Sequence, residues 1–441
     1  MSKSICIVVS DYYKKISNGL ETWTSTSPQS DINADSIIWA TDGEDDRSVA
    51  FAARLMENNI QVRIIDKESI LSGHELSRGS VAVLQMDNPN VADLSSIISQ
   101  TGSDLGISID SIESGFGPEL LPDWGGRHFR LLEKPQVAIL GHSNFNSYDV
   151  GVSWWSLDHH LGIRHTQLNG SFTGYADLRR YNVIIMPSGY LEMSDYEISA
   201  LNDWVKQGGT LIAHNRSSRF IASQESLGSV KQLNDVLDQS KDYNFDLLRE
   251  IYSVEDDLDH ESVLNNTLNL EITYPWELNE SNYSEEELKS RDKWQSIFMP
   301  SGAFVAGRTD QKHWLTFGTP KTLPVLYGNY PVLMTGSNAE APIRIGELID
   351  NSEATEFRTI NWSTLPAGKD IKVRMSGLVW PEAAQRIANS AYLTRERVGK
   401  GQIILFAGEP NFSGSTRGTN RVWLNAIVYG PGFGTSPRIE L

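Results

Sequence analysis

The chain has 441 residues, of which 39% are hydrophobic and 21% are charged, a balance typical of folded globular proteins. This length exceeds that of one ordinary hydrophobic core, so we expect about two to three domains. The 38 Lys and Arg residues against 56 Asp and Glu residues leave a formal net charge of −18. Such a charge repels phosphate backbones and anionic lipids, so we expect neither nucleic acid nor a membrane as a partner.

The sequence contains one cysteine, Cys6. A single thiol cannot form an internal disulfide framework or a Cys-rich zinc site, and it leaves the redox compartment open. The apolar run at residues 5–9 is too short for a signal peptide, and no later apolar run reaches the length of a membrane span. Localisation and oligomeric state therefore stay open at this point.

The sequence predicts a small N-terminal α/β unit over residues 1–125. A helix is predicted over residues 47–58, where apolar side chains recur at helical spacing. Buried strands are predicted at residues 5–9, 36–40, 60–65 and 81–84. The succession of strand, helix and strand favours a parallel sheet.

The sequence predicts one doubly wound parallel α/β domain, formed by residues 126–223 and 396–441. Its helices are predicted over residues 150–161, from the N-cap Ser194 to Gln207, and over residues 420–429. Its strands are predicted at residues 137–141, 164–168, 183–186, 210–213 and 402–407. We expect the last strand and helix to rejoin the sheet. This arrangement is similar to that of class I glutamine amidotransferases, whose fold is flavodoxin-like.

Two segments interrupt that domain. Residues 224–299 are acidic and read as a helical insertion, with charge runs such as residues 256–259 and 285–287 on solvated faces. Residues 300–395 contain short apolar runs between turn residues and read as a β-rich segment.

The amidotransferase chemistry is missing from this sequence. A glutamine-hydrolysing domain needs a cysteine thiolate on a strained strand-to-helix turn, because a thiolate of lowered pKa attacks an amide carbon at neutral pH. The matching place is residues 213–218, which contain no cysteine. Ser217 with His214 as base is the alternative nucleophile there, but a serine at this position is more typical of a helix N-cap. We therefore predict no catalytic residue.

Four stretches carry a resemblance to a known family: residues 125–140, 148–162, 399–412 and 417–425. Together they resemble the C-terminal, amidotransferase-like portion of bacterial zinc carboxypeptidase-like proteins of the metallocarboxypeptidase family. In that family the peptidase domain precedes this portion and binds zinc through a His-x-x-Glu motif. None of the nine histidines here is followed three positions later by Glu.

The resemblance implies a non-catalytic accessory region, structural or substrate-presenting, that acts with a zinc carboxypeptidase-like domain in cis or in trans. It implies no cofactor in this chain, with zinc only in an upstream peptidase domain, and a periplasmic or secreted location. Two other classes of function stay open. One is a cysteine-independent hydrolase that uses the strand ends, and the other is a carbohydrate- or peptide-binding module.

Polar side chains follow the predicted central strands. Because the carboxyl ends of parallel strands meet at one edge of a sheet, these side chains can line one crevice and form a candidate ligand site. The alternative is that loops are polar because they are solvated. The candidate ligand-binding residues are His142, Asn144, Ser188, Tyr190, His214, Asn215 and Glu409.

Three further patterns suggest a ligand or metal site, but each has a simpler structural explanation. Asp158, His159 and His160 suggest a metal site, but adjacent helical residues point about 100° apart, which favours a helix-end role. The acidic residues 42–46 lack the spacing of a calcium loop and suit a helix N-terminus. The pair Trp154 and Trp155 could stack on a sugar or peptide, but core packing is the default. The sequence therefore predicts no metal site.

Overall fold

The computed structural model describes residues 32–118, 121–142, 144–170, 176–255 and 283–435. The predicted strand at residues 5–9, Cys6 and the acidic run at residues 256–259 lie outside the described residues. The architecture is mixed α/β, with one large sheet and a smaller N-terminal sheet.

The strands are, in chain order, β1 (Ile38–Thr41), β2 (Arg63–Ile65), β3 (Ser69–Leu71), β4 (His74–Leu76), β5 (Val81–Leu84), β6 (Asp110–Ile112), β7 (Phe129–Leu131), β8 (Val137–Gly141), β9 (His165–Asn169), β10 (Val183–Met186), β11 (Thr210–His214), β12 (Lys231–Gln232), β13 (Ala303–Thr309), β14 (Thr322–Tyr327), β15 (Leu333–Met334), β16 (Ala339–Ile345), β17 (Glu347–Asp350), β18 (Arg358–Ile360), β19 (Ser363–Leu365), β20 (Lys369–Lys372), β21 (Arg374–Ser376), β22 (Ala391–Val398) and β23 (Gly401–Phe406). The α-helices are α1 (Arg47–Glu57), α2 (Leu94–Leu105), α3 (Ser147–Trp155), α4 (Asp195–Lys206), α5 (Arg216–Ala222), α6 (Ser240–Glu255), α7 (Glu285–Gln295), α8 (Pro381–Ile387) and α9 (Arg417–Phe433).

The N-terminal sheet is antiparallel, so the predicted parallel sheet is wrong. Its order is β6-β1-β5-β2-β7, and every neighbouring pair runs antiparallel. β1 and β2 do point the same way, as their connection through α1 requires, but β5 returns between them. This is the split βαβ arrangement, in which two interlocking βαβ units share one sheet. A short apolar strand buried on both faces looks the same in a parallel and an antiparallel sheet, so the sequence did not separate the two.

Both faces of this small sheet are buried. Trp39 and Val83 point into the main core together with apolar residues of α1 and α2. Ile38, Ala40 and Ala82 point to the opposite face, where a second cluster forms with residues of the β3–β4 hairpin. The alternation follows from the two-residue period of a strand.

The large sheet contains the predicted parallel core. Strands β23, β11, β10, β8 and β9 are neighbours in this order and are all parallel, so the closing strand does rejoin the sheet as predicted. β8 and β10 are buried along their whole length, which explains their continuous apolar sequences.

Residues 300–395 extend the same sheet on its β23 side. There β22, β16, β13 and β14 follow one another as antiparallel strands. These strands continue the parallel sheet. The predicted domain boundaries stay a prediction.

Local signals set the turns of the parallel core. Ser194 accepts a hydrogen bond from the Glu197 backbone N–H, and the Glu197 side chain accepts one from the Ser194 backbone N–H, which makes a capping box at the start of α4. After α4, Gly208 has a φ of 118°, which favours glycine. The helix that follows β8 begins at Ser147, earlier than predicted. It continues as a π-helix over residues 156–161 and ends at Gly162, whose φ is 69°.

The last helix joins the two sheets through one buried side chain. The Arg421 guanidinium, with 1% of its side chain exposed, donates hydrogen bonds to the carbonyl oxygens of Gly43 (2.8 Å) and Asp45 (2.9 Å). Its Nε also donates to Asn425 Oδ1 at 3.0 Å. Over the described ranges of the chain, no helix has the length and apolar character needed to cross a membrane.

Candidate functional site

The loops that follow β8 and β10 are joined to each other. The Asn146 N–H donates to Ser188 O at 2.8 Å, and the Tyr190 N–H donates to Asn144 O at 2.9 Å. A β-bridge between Phe145 and Gly189 lies between these two bonds. The predicted convergence of the strand ends therefore holds for this pair of loops, through backbone hydrogen bonds.

The turn from β11 into α5 has Asn215 at its apex. Asn215 has φ 53° and ψ −116°, a conformation that non-glycine residues rarely adopt. Its N–H donates to Phe406 O at 3.0 Å, which ties the turn to the neighbouring strand. The turn after β11 is therefore strained, and its apex residue carries a side-chain amide and no nucleophile.

Asn215 contacts Glu409 directly. Its Nδ2 donates to Glu409 Oε1 at 3.0 Å, so the ends of β11 and β23 meet through two of the predicted residues. Burial raises the pKa of the Glu409 carboxyl, while the Asn215 hydrogen bond and the Arg216 charge act in the opposite direction, and the net shift is upward.

Asp149, on the first turn of α3, is the second carboxyl group of the site. It is 8% exposed, and within the described part of the chain its Oδ2 has no hydrogen-bond partner. Burial, and secondly the charge of Glu409, raise the pKa of Asp149 to about 7, although Arg216 lowers it. A carboxylate in a first turn is ordinarily stabilised by the helix dipole, so burial outweighs the dipole here. Asp149 therefore takes up and releases a proton near neutral pH.

Two aromatic side chains and one arginine surround the carboxyl pair. The Arg216 Cζ lies 3.9 Å from the centroid of the Tyr190 ring, and both side chains are exposed. Tyr330, in the loop after β14, packs closely on Gly408. A Cβ atom added to that glycine would lie 2.7 Å from the tyrosine ring. Burial raises the pKa of Tyr330, and the charges of Glu409 and Asp149 raise it further. We call Asp149, Tyr190, Asn215, Arg216, Glu409 and Tyr330 the strand-end cluster.

His214 is not part of the cluster, and its predicted role as a ligand residue is not supported by its position. β11 extends one residue beyond the predicted end, and His214 is therefore a buried strand residue, 4% exposed. Its ring packs edge-on against Trp423 with centroids 5.7 Å apart, and burial lowers its pKa to about 3. It is a neutral core residue at neutral pH.

Ser217 has no geometry for catalysis. Its Oγ donates to the carbonyl oxygen of Pro187 in a buried position inside α5. It is also not the N-cap that the sequence favoured, because Asn215 occupies that position. The next serine, Ser218, donates to Phe406 O at 2.8 Å. Both hydroxyls anchor the strained turn to its neighbours.

The remaining predicted residues, Asn144, Ser188 and His142, differ in how exposed they are and in what they contact. Asn144 contributes its carbonyl oxygen to the loop pairing while its side chain is exposed, and Ser188 is 3% exposed. His142 is exposed and has a φ of 63°. Three members of the cluster, Asp149, Arg216 and Tyr330, were not among the predicted ligand-binding residues, although Arg216 directly follows the predicted Asn215. Asp149 looks like an ordinary first-turn acid, and Tyr330 comes from a segment distant in sequence, so no local signal identified either.

The other patterns have structural explanations. The rings of His159 and His160 pack on Trp155, with centroids 5.0 and 4.2 Å from its ring. The acidic loop at residues 42–46 gives two of its carbonyl oxygens to Arg421. Within the described ranges, no three His, Cys, Asp or Glu side chains lie close enough together to hold a metal ion.

Comparisons with known proteins give distant structural likenesses. No family model matches the chain, and no curated protein matches it. A putative ThuA-like protein from Bacteroides uniformis aligns at 11% identity and a TM-score of 0.31, over 66% of this chain and 88% of that chain. An exo-beta-1,4-mannosidase from an Opitutaceae bacterium aligns at 11% identity and a TM-score of 0.30, over 69% of this chain and 36% of that chain. A beta-galactosidase from Bacillus circulans aligns at 13% identity and a TM-score of 0.31, over 81% of this chain and 38% of that chain.

These findings correct the resemblance drawn from the sequence. The structures that match include ThuA-like proteins and glycoside hydrolases, and the resemblance to zinc carboxypeptidase-like proteins is wrong. The predicted role as an accessory region in proteolysis is wrong with it. Two of the stretches contain sheet strands with their loops and the other two are helices, a combination that recurs in unrelated doubly wound sheets. The expectations about a peptidase partner and about cofactors stay predictions, since nothing tests them.

Proposed function

We propose that the strand-end cluster binds a small, neutral, hydroxyl-rich molecule, such as a sugar or polyol, and exchanges a proton with it through Asp149 and Glu409. The observation that carries this proposal is the buried Asp149 carboxyl, whose Oδ2 lacks a partner within the described residues. A buried polar atom without a partner costs stability, so a ligand that supplies the missing hydrogen bond is favoured.

A hydroxyl group suits this site because it both donates and accepts. It can accept from the protonated Asp149 carboxyl, or donate to the same group once the proton has left. Glu409 already accepts from Asn215 through Oε1, and Oε2 is its other acceptor. The exposed ring of Tyr190 offers an apolar face of the kind that stacks against a sugar ring.

We further propose that the parallel core has the flavodoxin-like fold of the amidotransferase type. Numbered along the chain, the order β9-β8-β10-β11-β23 is 2-1-3-4-5, which is the flavodoxin-like order. In such sheets the ligand binds at the carboxyl ends of the strands, which is where the cluster lies.

The chemistry that the cluster can support is acid–base chemistry without a covalent intermediate. Two carboxyl groups in different surroundings can divide the roles of proton donor and proton acceptor. Asp149 is the donor because its pKa is the one raised to about 7. Glu409 is the acceptor because the Asn215 hydrogen bond and the Arg216 charge offset part of the upward shift that burial gives its pKa.

Calorimetric titration of the protein with a panel of neutral monosaccharides and polyols tests the proposal. We expect saturable binding of at least one of them. Glu409→Gln keeps the acceptor for Asn215 but removes the charge, and should weaken binding by about tenfold. Asp149→Asn should weaken binding by a similar factor at about pH 7 and remove the dependence of affinity on pH near that value.

Asp203→Asn is the control, since Asp203 is an exposed carboxylate on α4 away from the strand ends. It should bind like the unmodified chain. The proposal fails if no member of the panel binds saturably, or if all three variants bind with the same affinity.

A further inference from the structure

A second pocket lies in the β-rich segment, away from the strand ends. It has a volume of about 370 Å³ and is enclosed by β18, β20 and β21 on one side and by α7 and α8 on the other. It shares no residue with the strand-end cluster. The apolar part of its wall includes Ile360, Val373 and Ala384.

Positive charge dominates the lining of this pocket. Arg291, Arg358 and Arg374 line it, and Asp370 is the one acidic residue among the lining residues. Asp370 already forms an ion pair with Arg358. The remaining excess of positive charge contrasts with the whole chain, whose net charge is −18. A cationic pocket on an acidic protein concentrates small anions.

Arg291 is held in place but incompletely bonded. Its Cζ lies 4.2 Å from the centroid of the Tyr283 ring, which fixes the plane of the guanidinium. Its Nε is buried and, within the described chain, has no hydrogen-bond partner. On the same helix, Glu287 accepts hydrogen bonds from the N–H and Oγ of Ser284 in a capping box, and Asp292 pairs with Arg386, so both acids are engaged elsewhere.

Asn361 supplies an independent indication of a ligand. Its side chain is 3% exposed and lines the pocket, and in the described part of the chain neither its amide nitrogen nor its amide oxygen has a partner. Its φ of 52° is a left-handed conformation that holds the residue at the turn between β18 and β19. An amide buried with both polar atoms unpaired is costly unless something else bonds to it.

We propose that this arginine pocket binds the anionic group, phosphate or carboxylate, of a small organic molecule. Guanidinium groups present donors in a planar fork that matches both oxyanions, and the Asn361 amide nitrogen adds a neutral donor. The carbon part of the ligand lies against the apolar wall. The pocket volume suits a ligand of metabolite size and excludes a folded partner.

Calorimetric titration of the full chain at low ionic strength with orthophosphate, and separately with succinate, tests this inference. We expect saturable binding of one or both, and the tighter of the two identifies the anionic group. Arg291→Gln should weaken that binding by about tenfold or more, because hydrogen bonds to a charged group are lost. Arg374→Gln, an exposed position, should weaken it by about threefold.

Asn361→Gly separates binding from folding. Glycine adopts the left-handed conformation without strain, so this variant should fold and yet bind severalfold more weakly. Lys293→Gln is the matched control, because Lys293 is an exposed cation on α7 that does not line the pocket. The inference is overturned if neither anion binds saturably at millimolar concentration, or if Arg291→Gln and Lys293→Gln bind alike. Neither result affects the proposal for the strand-end cluster.

Discussion

The N-terminal sheet and the parallel half of the large sheet are both built by alternating strands and helices, but they use their strand ends differently. In the antiparallel N-terminal sheet, neighbouring strands end at opposite edges, so the polar residues after them are spread over two sides. In the parallel half all the strands end at one edge, which brings Asn215 and Glu409 into hydrogen-bond contact. Strand direction, which the local sequence does not reveal, decides where a site can form.

The Arg421 contact and the strand-end cluster also differ in how completely their polar groups are paired. The loop at residues 43–45 of the N-terminal unit gives its carbonyl oxygens to the buried Arg421. The strand-end cluster instead contains a buried carboxyl with an unpaired oxygen and a residue in a rare backbone conformation. Full pairing is typical of a structural contact, whereas unpaired and strained groups are typical of sites that act on a ligand. Substitutions should therefore have opposite effects on stability in the two regions.

The largest effect is expected from two arginines, one bonded to the loop of the N-terminal unit and one at the strand ends. Arg421→Met removes a buried guanidinium and leaves the oxygens of Gly43 and Asp45 without their donors. It should lower the free energy of unfolding by about 3–5 kcal/mol. Arg216→Met, at the exposed strand end, should change it by less than about 0.5 kcal/mol. Urea unfolding of the two variants measures both values, and equal losses would contradict the distinction between the regions.

The second largest effect is on the way in which the stability of the folded chain depends on pH. Because the pKa of Asp149 is raised from its ordinary 3.8 to about 7, the folded chain keeps a proton over this range that the unfolded chain has released. The contribution of Asp149 to stability is therefore most favourable below about pH 4 and falls as the pH rises to about 7. Asp149→Asn removes this penalty and should stabilise the chain by up to about 4 kcal/mol at about pH 8, with little gain at about pH 4.

Urea unfolding across that pH range measures the gain, with the exposed Asp203→Asn as control. The control should show no comparable dependence on pH. A gain for Asp149→Asn that is the same at every pH would mean that its carboxyl is not held protonated, and the cluster would lose its proposed proton donor.

The elements with strong local signals were predictable from the sequence. The strands Val137–Gly141 and Val183–Met186 are continuous apolar runs, and the structure has them at the predicted bounds. The capping box at Ser194 marked the start of α4. In these places the residues that determine the element lie next to one another in sequence, so hydrophobic period and capping chemistry are sufficient.

The site was predictable only in part, because its remaining members depend on tertiary packing. Asn215 and Glu409 follow central strands, and parallel strands bring such residues together. Asp149 becomes unusual only through burial, and Tyr330 reaches the site from the β-rich segment through contact with Gly408. The misplacement of His214 followed from a strand that is one residue longer than its apolar run, which moved the imidazole from the expected crevice into the core.

The smallest of the three expected effects on stability comes from relief of the backbone strain at Asn215, in the turn before α5. Asn215→Gly and Asn215→Ala both remove the hydrogen bond to Glu409, but only glycine relieves the rare conformation at φ 53° and ψ −116°. The glycine variant should therefore be more stable than the alanine variant by about 1–2 kcal/mol. Asn58, in the N-terminal unit, is the matched control, because it is an exposed residue that ends a helix with an ordinary φ of −83°. There alanine should be at least as stable as glycine, and the same order at both positions would remove strain as a property of the strand-end turn.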